Sequence, residues 1–147
     1  MKIRRFVLGI LILCPLLISG CASYRNATRK EYCERAIRDY NKMIRWQEIE
    51  SAALLFIESD NRASFDTTAE DLHKRNVTIA DYRILAQQCM PEQKKAEATV
   101  EFGYFALPDN RLKTLTDHQT WIFREQNDAR PDLPEGWKLT SPLPEFR

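Results

Sequence analysis

Glycine is scarce in this chain, with four residues among 147. Gly9, Gly20, Gly103 and Gly136 stand far apart, so no glycine-rich loop exists to cradle a phosphate. Histidine is scarcer still. His73 and His118 stand at no ligand spacing, which argues against a zinc or iron site. No sign of charge dominates: 22 Lys and Arg face 21 Asp and Glu, so the chain carries no electrostatic footprint for nucleic acid. A long apolar run is also missing. The longest, Phe6 to Ile18, has thirteen residues and contains Pro15. As a helix it would reach about 20 Å against the roughly 30 Å of a bilayer core, which argues against a permanent transmembrane segment. No internal repeat, low-complexity tract or long linker appears, and no cofactor is expected.

What the first residues do contain is ordered. Lys2, Arg4 and Arg5 precede the short apolar centre, and Ile18, Ser19, Gly20 and Cys21 follow or close it. A positive start, a short apolar stretch and small residues before a cleavage point describe an export signal. The run Ile18-Ser19-Gly20-Cys21 resembles the lipobox of bacterial lipoproteins: an aliphatic residue, two small residues and a cysteine. The resemblance implies that residues 1–20 are removed and that the Cys21 sulfur takes a diacylglycerol, usually joined by an amide-linked chain. One acyl chain holds a protein only marginally, whereas two or more make stable anchoring. The next residue is Ala22 and not aspartate, which in the family implies sorting to the outer membrane with the domain facing the periplasm. In a single-membrane bacterium the same signal would leave it on the outer face of the cell membrane.

Cleavage changes the accounting. Without Lys2, Arg4 and Arg5 the chain has 19 basic and 21 acidic residues, a net charge of −2. Cys14 leaves with the signal, so Cys33 and Cys89 remain as an even pair in an oxidising compartment. They are either joined across 56 residues or buried as two separate thiols. The Asn-x-Thr triplets at Asn26 and Asn76 match a glycosylation acceptor by chance, given the bacterial signal upstream.

About 126 residues follow Cys21, enough for one domain and one core. Residues 21–30 are polar and short and read as a tether; residues 31–147 read as the domain. Cys33, Ala36, Ile37, Tyr40, Met43 and Ile44 recur at spacings of three and four, the stripe of an amphipathic helix. Ile49, Ala52, Ala53 and Phe56 repeat it, as a second helix or a continuation. SDNRASFD reads as a breaker-rich connection, and TTAEDLHKR as a short helix capped by Thr67 or Thr68. From Asn76 the period changes. VTIADYRILAQQC is rich in β-formers, and KAEATVEFGYF alternates with Ala96, Ala98, Val100, Phe102 and Tyr104 on one face. LPDN reads as a turn. In RLKTLTDHQTWIFRE, Leu115, Asp117, Gln119, Trp121 and Phe123 share a face; QNDARPDLPEG is a polar loop, and GWKLTSPLPEF a short last strand closed by prolines. Helices followed by antiparallel strands predict an α+β domain, with helices packed on one face of a curved sheet.

This order, and the closing LTDHQTWIFRE and EGWKLTSPLPEF with their tryptophans, is similar to the nuclear transport factor two-like superfamily. The resemblance implies a cone with a cavity between the long helix and the sheet. It does not choose a function, because members include isomerases, dehydratases, binding modules and dimerisation modules. Asp81, Tyr104 and His118 are the pocket candidates; Asp81 or His118 would be the acid–base group of an enzyme of that kind. Neighbouring strand residues Asp117 and His118 point to opposite faces and cannot act together. Trp121 reads as core, while Trp137 closes either a pocket mouth or the underside of the carboxy-terminal segment. No coherent catalytic set emerges. The expectation is a membrane-anchored envelope protein acting in binding or protein interaction, with an envelope partner or a second copy. The alternative is a small-molecule carrier or enzyme using the cavity. A third reading, an accessory of a larger envelope machine, would be marked by an exposed apolar patch.

Overall fold

The computed structural model describes residues 2–108, 111–126 and 135–147, with side chains from Ser23 onward. Three helices come first: α1 (Lys2–Arg45), α2 (Ile49–Phe56) and α3 (Ser59–Lys74). Four strands follow, β1 (Thr78–Met90), β2 (Lys95–Phe105), β3 (Lys113–Arg124) and β4 (Gly136–Leu139). They pair antiparallel in the order β1-β2-β3-β4, giving an open sheet with the helices packed on it. The chain is therefore α+β, as its pattern predicts.

Alternation decides the sheet's faces. Ala96, Ala98, Val100, Phe102 and Tyr104 of β2 are buried, as are Asp117, Gln119, Trp121 and Phe123 of β3. Cys33, Ile37, Tyr40 and Ile44 of α1 are buried together with this face. Two register shifts bend β1, between Ile79 and Asp81 and between Ile84 and Ala86. Such irregularities twist an edge strand away from flat pairing with another chain.

Two helix ends are built alike. At the end of α1, Gln47 donates its backbone N–H to Ile44 O at 3.1 Å, and Glu48 donates to Met43 O at 2.9 Å. At the end of α3, Asn76 donates to His73 O and Val77 to Leu72 O, each at 3.1 Å. Both are Schellman closures, in which the residue after the cap turns left-handed. Gln47 (φ 61°) and Asn76 (φ 50°) take that conformation without being glycine. Asparagine tolerates it through its short polar side chain. Gln47 has another use, since its Nε2 donates to Val77 O at 2.8 Å and links one closure to the other.

The helical part differs from the sequence reading in two places. Residues 21–30, read as a tether, lie within α1. SDNRASFD, read as a connection, is the first half of α3, whose buried stripe of Phe65, Ala69 and Leu72 starts near the end of that stretch. Thr67 and Thr68 consequently sit inside the helix. Their hydroxyls donate to Ala63 O at 2.9 Å and Ser64 O at 3.2 Å. The connection is shorter: Ile57 is extended and bridges Leu139 in parallel. Next to it, Glu58 accepts from Arg124 Nε at 2.7 Å and ties the start of α3 to β3. Asp109 and Asn110 of the expected turn, and 127–134 of the expected loop, lie outside the described residues.

One end of the sheet is pinned to α1. Sulfur atoms of Cys33 and Cys89 are bonded, with Cα atoms 6.3 Å apart. Trp137 Nε1 donates to Arg29 O at 3.0 Å, and the Arg29 guanidinium lies over the Phe123 ring at 4.6 Å. Glu125 accepts from Arg29 and from Lys94, each at 2.7 Å. Trp137 is thus buried against Phe123 and α1.

Candidate functional site

The space between α1 and the sheet is occupied by side chains. Tyr40, Phe56 and Trp121 meet edge to face, with ring centroids 5.5 to 6.0 Å apart. Phe102, Tyr104 and Phe146 form a second aromatic group, with Phe146 5.6 Å from Phe102 and 5.1 Å from Tyr104. Such contacts stabilise beyond the area they bury.

Polar groups share this interior. Gln119 Nε2 donates to Asn41 Oδ1 at 2.8 Å and to Asp117 Oδ2 at 2.9 Å, while Asn41 Nδ2 donates back to Gln119 Oε1 at 3.1 Å. Asn41 also donates to Ile37 O at 2.8 Å, which fixes the amide on α1. The pair joins α1 to β3 at one register. Burial pushes the Asp117 carboxyl above the ordinary aspartate range, and the bond from Gln119 and the nearby His118 only partly oppose it. Burial, aided by Asp117, raises the Tyr40 phenol well above its usual value. Among the described residues, the buried Tyr40 hydroxyl and Trp121 Nε1 find no partner. Unpaired buried donors cost free energy, so such positions call for a functional or structural account.

The three pocket candidates read from the sequence do not converge. Tyr104 is buried on the inner face, where its hydroxyl donates to Arg147 O. Asp81 pairs with Gly103 across the β1–β2 ladder and His118 with Thr99 across β2–β3, both with side chains exposed on the outer face. The Asp81 carboxylate lies where a Cβ on Gly103 would stand. His118 Nδ1 is 3.4 Å from Thr99 Oγ1. Four residues of β2 separate the two positions, more than hydrogen-bond reach. Among the described residues, no three His, Cys, Asp or Glu gather as a metal site. The Cys21 side chain lies outside the described side chains. Sequence reasoning missed the Asn41–Gln119–Asp117 set, and the only signal for it was two polar residues on the apolar face of β3.

Outside the core, apolar side chains gather on α2 and the end of α1. Trp46, Leu54 and Leu55 are 62%, 65% and 50% exposed. Met43, Trp46, Leu55 and Phe56 line a groove of about 270 Å³ between these helices, with Asp39 and Lys42 at its rim. A second groove of about 430 Å³ runs between α2 and α3 over Ala53, Leu54 and Ala69. Among the described residues no helix is long and apolar enough to cross a membrane. Compared with known proteins, the chain matches no family model, no curated protein and no solved structure.

Proposed function

We propose that this chain is a cell-envelope lipoprotein, acylated at Cys21, whose domain binds a partner protein at the membrane. The domain is read as nuclear transport factor two-like, and the anchor reading places it on the outer membrane facing the periplasm. The observation that carries the binding reading is the distribution of side chains. Aromatic rings and a bonded polar set fill the space where a reaction chamber would stand, while Trp46 and Leu55 are exposed on one groove beside α2 and Leu54 on the groove next to it. Exposed apolar clusters mark interaction sites.

Crosslinking from photoreactive residues placed at Leu54 and Leu55 of the membrane-bound protein, followed by mass spectrometry, tests this. One stoichiometric protein partner is the expected result. No protein adduct, together with a co-purifying small molecule, would overturn it.

A second reading has its own observation. Buried Asp117, with the unpartnered Tyr40 hydroxyl and Trp121 Nε1, favours a small-molecule carrier or an isomerase or dehydratase working in the interior. Under that reading Asp117→Asn abolishes ligand retention, whereas under the first it leaves partner capture unchanged.

A further inference from the structure

The chain past β4 is held in an unusual manner. Thr140 N donates to Thr120 O at 2.8 Å, and Thr120 N donates to Ser141 Oγ at 3.3 Å, so the ladder contact ends there. Beyond it, residues 142–147 make no backbone–backbone hydrogen bond to a described residue. Pro142 and Pro144 have no N–H to offer a strand. Side chains do the holding instead. Phe146 is fully buried against Phe102 and Tyr104, and Leu143 is buried beside the core. Arg75 donates to Phe146 O, and the Tyr104 hydroxyl donates to Arg147 O, so two successive main-chain oxygens are gripped from α3 and β2. Asp71 accepts from Arg75 Nε at 2.7 Å and keeps the guanidinium in place. Along this segment's flank, Thr67, Thr68, Asp71 and Arg75 border an open groove of about 310 Å³.

These features separate a slot from the segment lying in it. Phe102 and Tyr104 accept an aromatic ring edge-on; Arg75 reads the main-chain carbonyl of the ring-bearing residue, and Tyr104 a main-chain oxygen of the next one. We propose that Ser141–Arg147 is a displaceable strap, and that the slot beneath it receives an extended, aromatic-bearing peptide segment of a partner protein. This rests on the binding reading above and names the chemistry of the partner. The strap already shows what the slot takes, a ring and the main-chain oxygens of its residue and the next. Opening the strap breaks no helix and no backbone ladder bond; it gives up the bond from Thr120 N to Ser141 Oγ and uncovers Phe146 and Leu143. While closed, the strap competes with the partner and lowers its apparent affinity by the fraction of time the slot is open.

The test uses the full chain and a labelled capped peptide, Pro-Leu-Pro-Glu-Phe-Arg, read by fluorescence anisotropy. Phe146→Ala empties the slot, so the peptide binds that variant about tenfold or more tighter than it binds the natural chain. The same peptide with alanine for phenylalanine does not bind. Adding Tyr104→Phe or Arg75→Gln weakens capture further. Equal affinity for the two peptides, or no binding by a natively melting Phe146→Ala protein, would sink the proposal. Where Phe146→Ala does not fold, the natural chain carries the test through its Phe146 ring resonances. Millimolar peptide should move them toward solvent-exposed values, and a saturating titration that leaves them unmoved overturns the strap. A partner crosslinked at Leu54 without peptide binding removes this slot alone; peptide binding without any crosslinked partner removes the wider reading alone.

Discussion

Asp117 shows how one buried carboxyl shapes the pH response of the fold. Its raised pKa comes first from burial, so the folded state prefers the protonated acid. The stability linked to it is therefore fully present below the ordinary aspartate value and is lost as pH rises through the raised one. Asp117→Asn keeps the shape, and its side-chain oxygen still accepts from Gln119. It should melt higher than the natural protein near neutral pH, with the difference shrinking toward about pH 4. An unchanged melting difference across that range would show that Asp117 does not carry the dependence. Its neighbours carry a different cost. Asn41→Ala leaves the buried Gln119 Oε1 without its donor and Nε2 with Asp117 alone, and is expected to destabilise by about 1–3 kcal/mol in urea titrations. The sequence placed Asp117 and Gln119 on the apolar face of β3 but gave no sign of their partner on α1. Asn41 and Gln119 lie 78 residues apart, and only the folded register brings their amides into contact.

At the level of elements, closures and crosslinks hold helices to sheet. Cys33 and Cys89 join α1 to the far end of β1 across 56 residues. In the chain-entropy account such a loop contributes about 4 kcal/mol. The Cys33→Ser, Cys89→Ser double variant should lose that much in denaturant titration. Identical curves with and without reductant would show that the two residues are not bridged in solution. At the end of α3, Asn76 occupies a left-handed position that β-branched residues resist. Asn76→Val should cost about 1–2 kcal/mol, and Asn76→Gly should be close to neutral. β2 and β3 were readable because, apart from buried Gly103, their residues alternate, and a half-buried sheet turns alternation directly into burial. The start of α3 was not, because Ser59 to Ser64, apart from Ala63, are polar and resemble a loop. The stripe of Phe65, Ala69 and Leu72 that makes it helical begins only afterward.

The whole molecule has two ends, and α1 connects them. From Cys21 to Arg45 the helix runs about 36 Å at 1.5 Å per residue. The pins at Arg29, Cys33, Glu125 and Trp137 sit near the end carrying Cys21, while Trp46 and the exposed leucines of α2 sit near the other. An acyl chain on Cys21 would thus hold the apolar patch away from the bilayer, where lipid cannot cover it and a protein can. Replacing Cys21 with serine should leave an unprocessed precursor that no longer partitions into the detergent phase as the natural protein does. The folded domain should melt unchanged, because Tyr24, one turn of chain beyond the anchor, is exposed. Photoreactive groups at Leu54 should give protein adducts and no lipid adducts in the natural protein, and fewer protein adducts in the serine variant. Normal processing and detergent partitioning in that variant would refute the anchor, and lipid adducts at Leu54 would refute the orientation that places the patch away from the membrane.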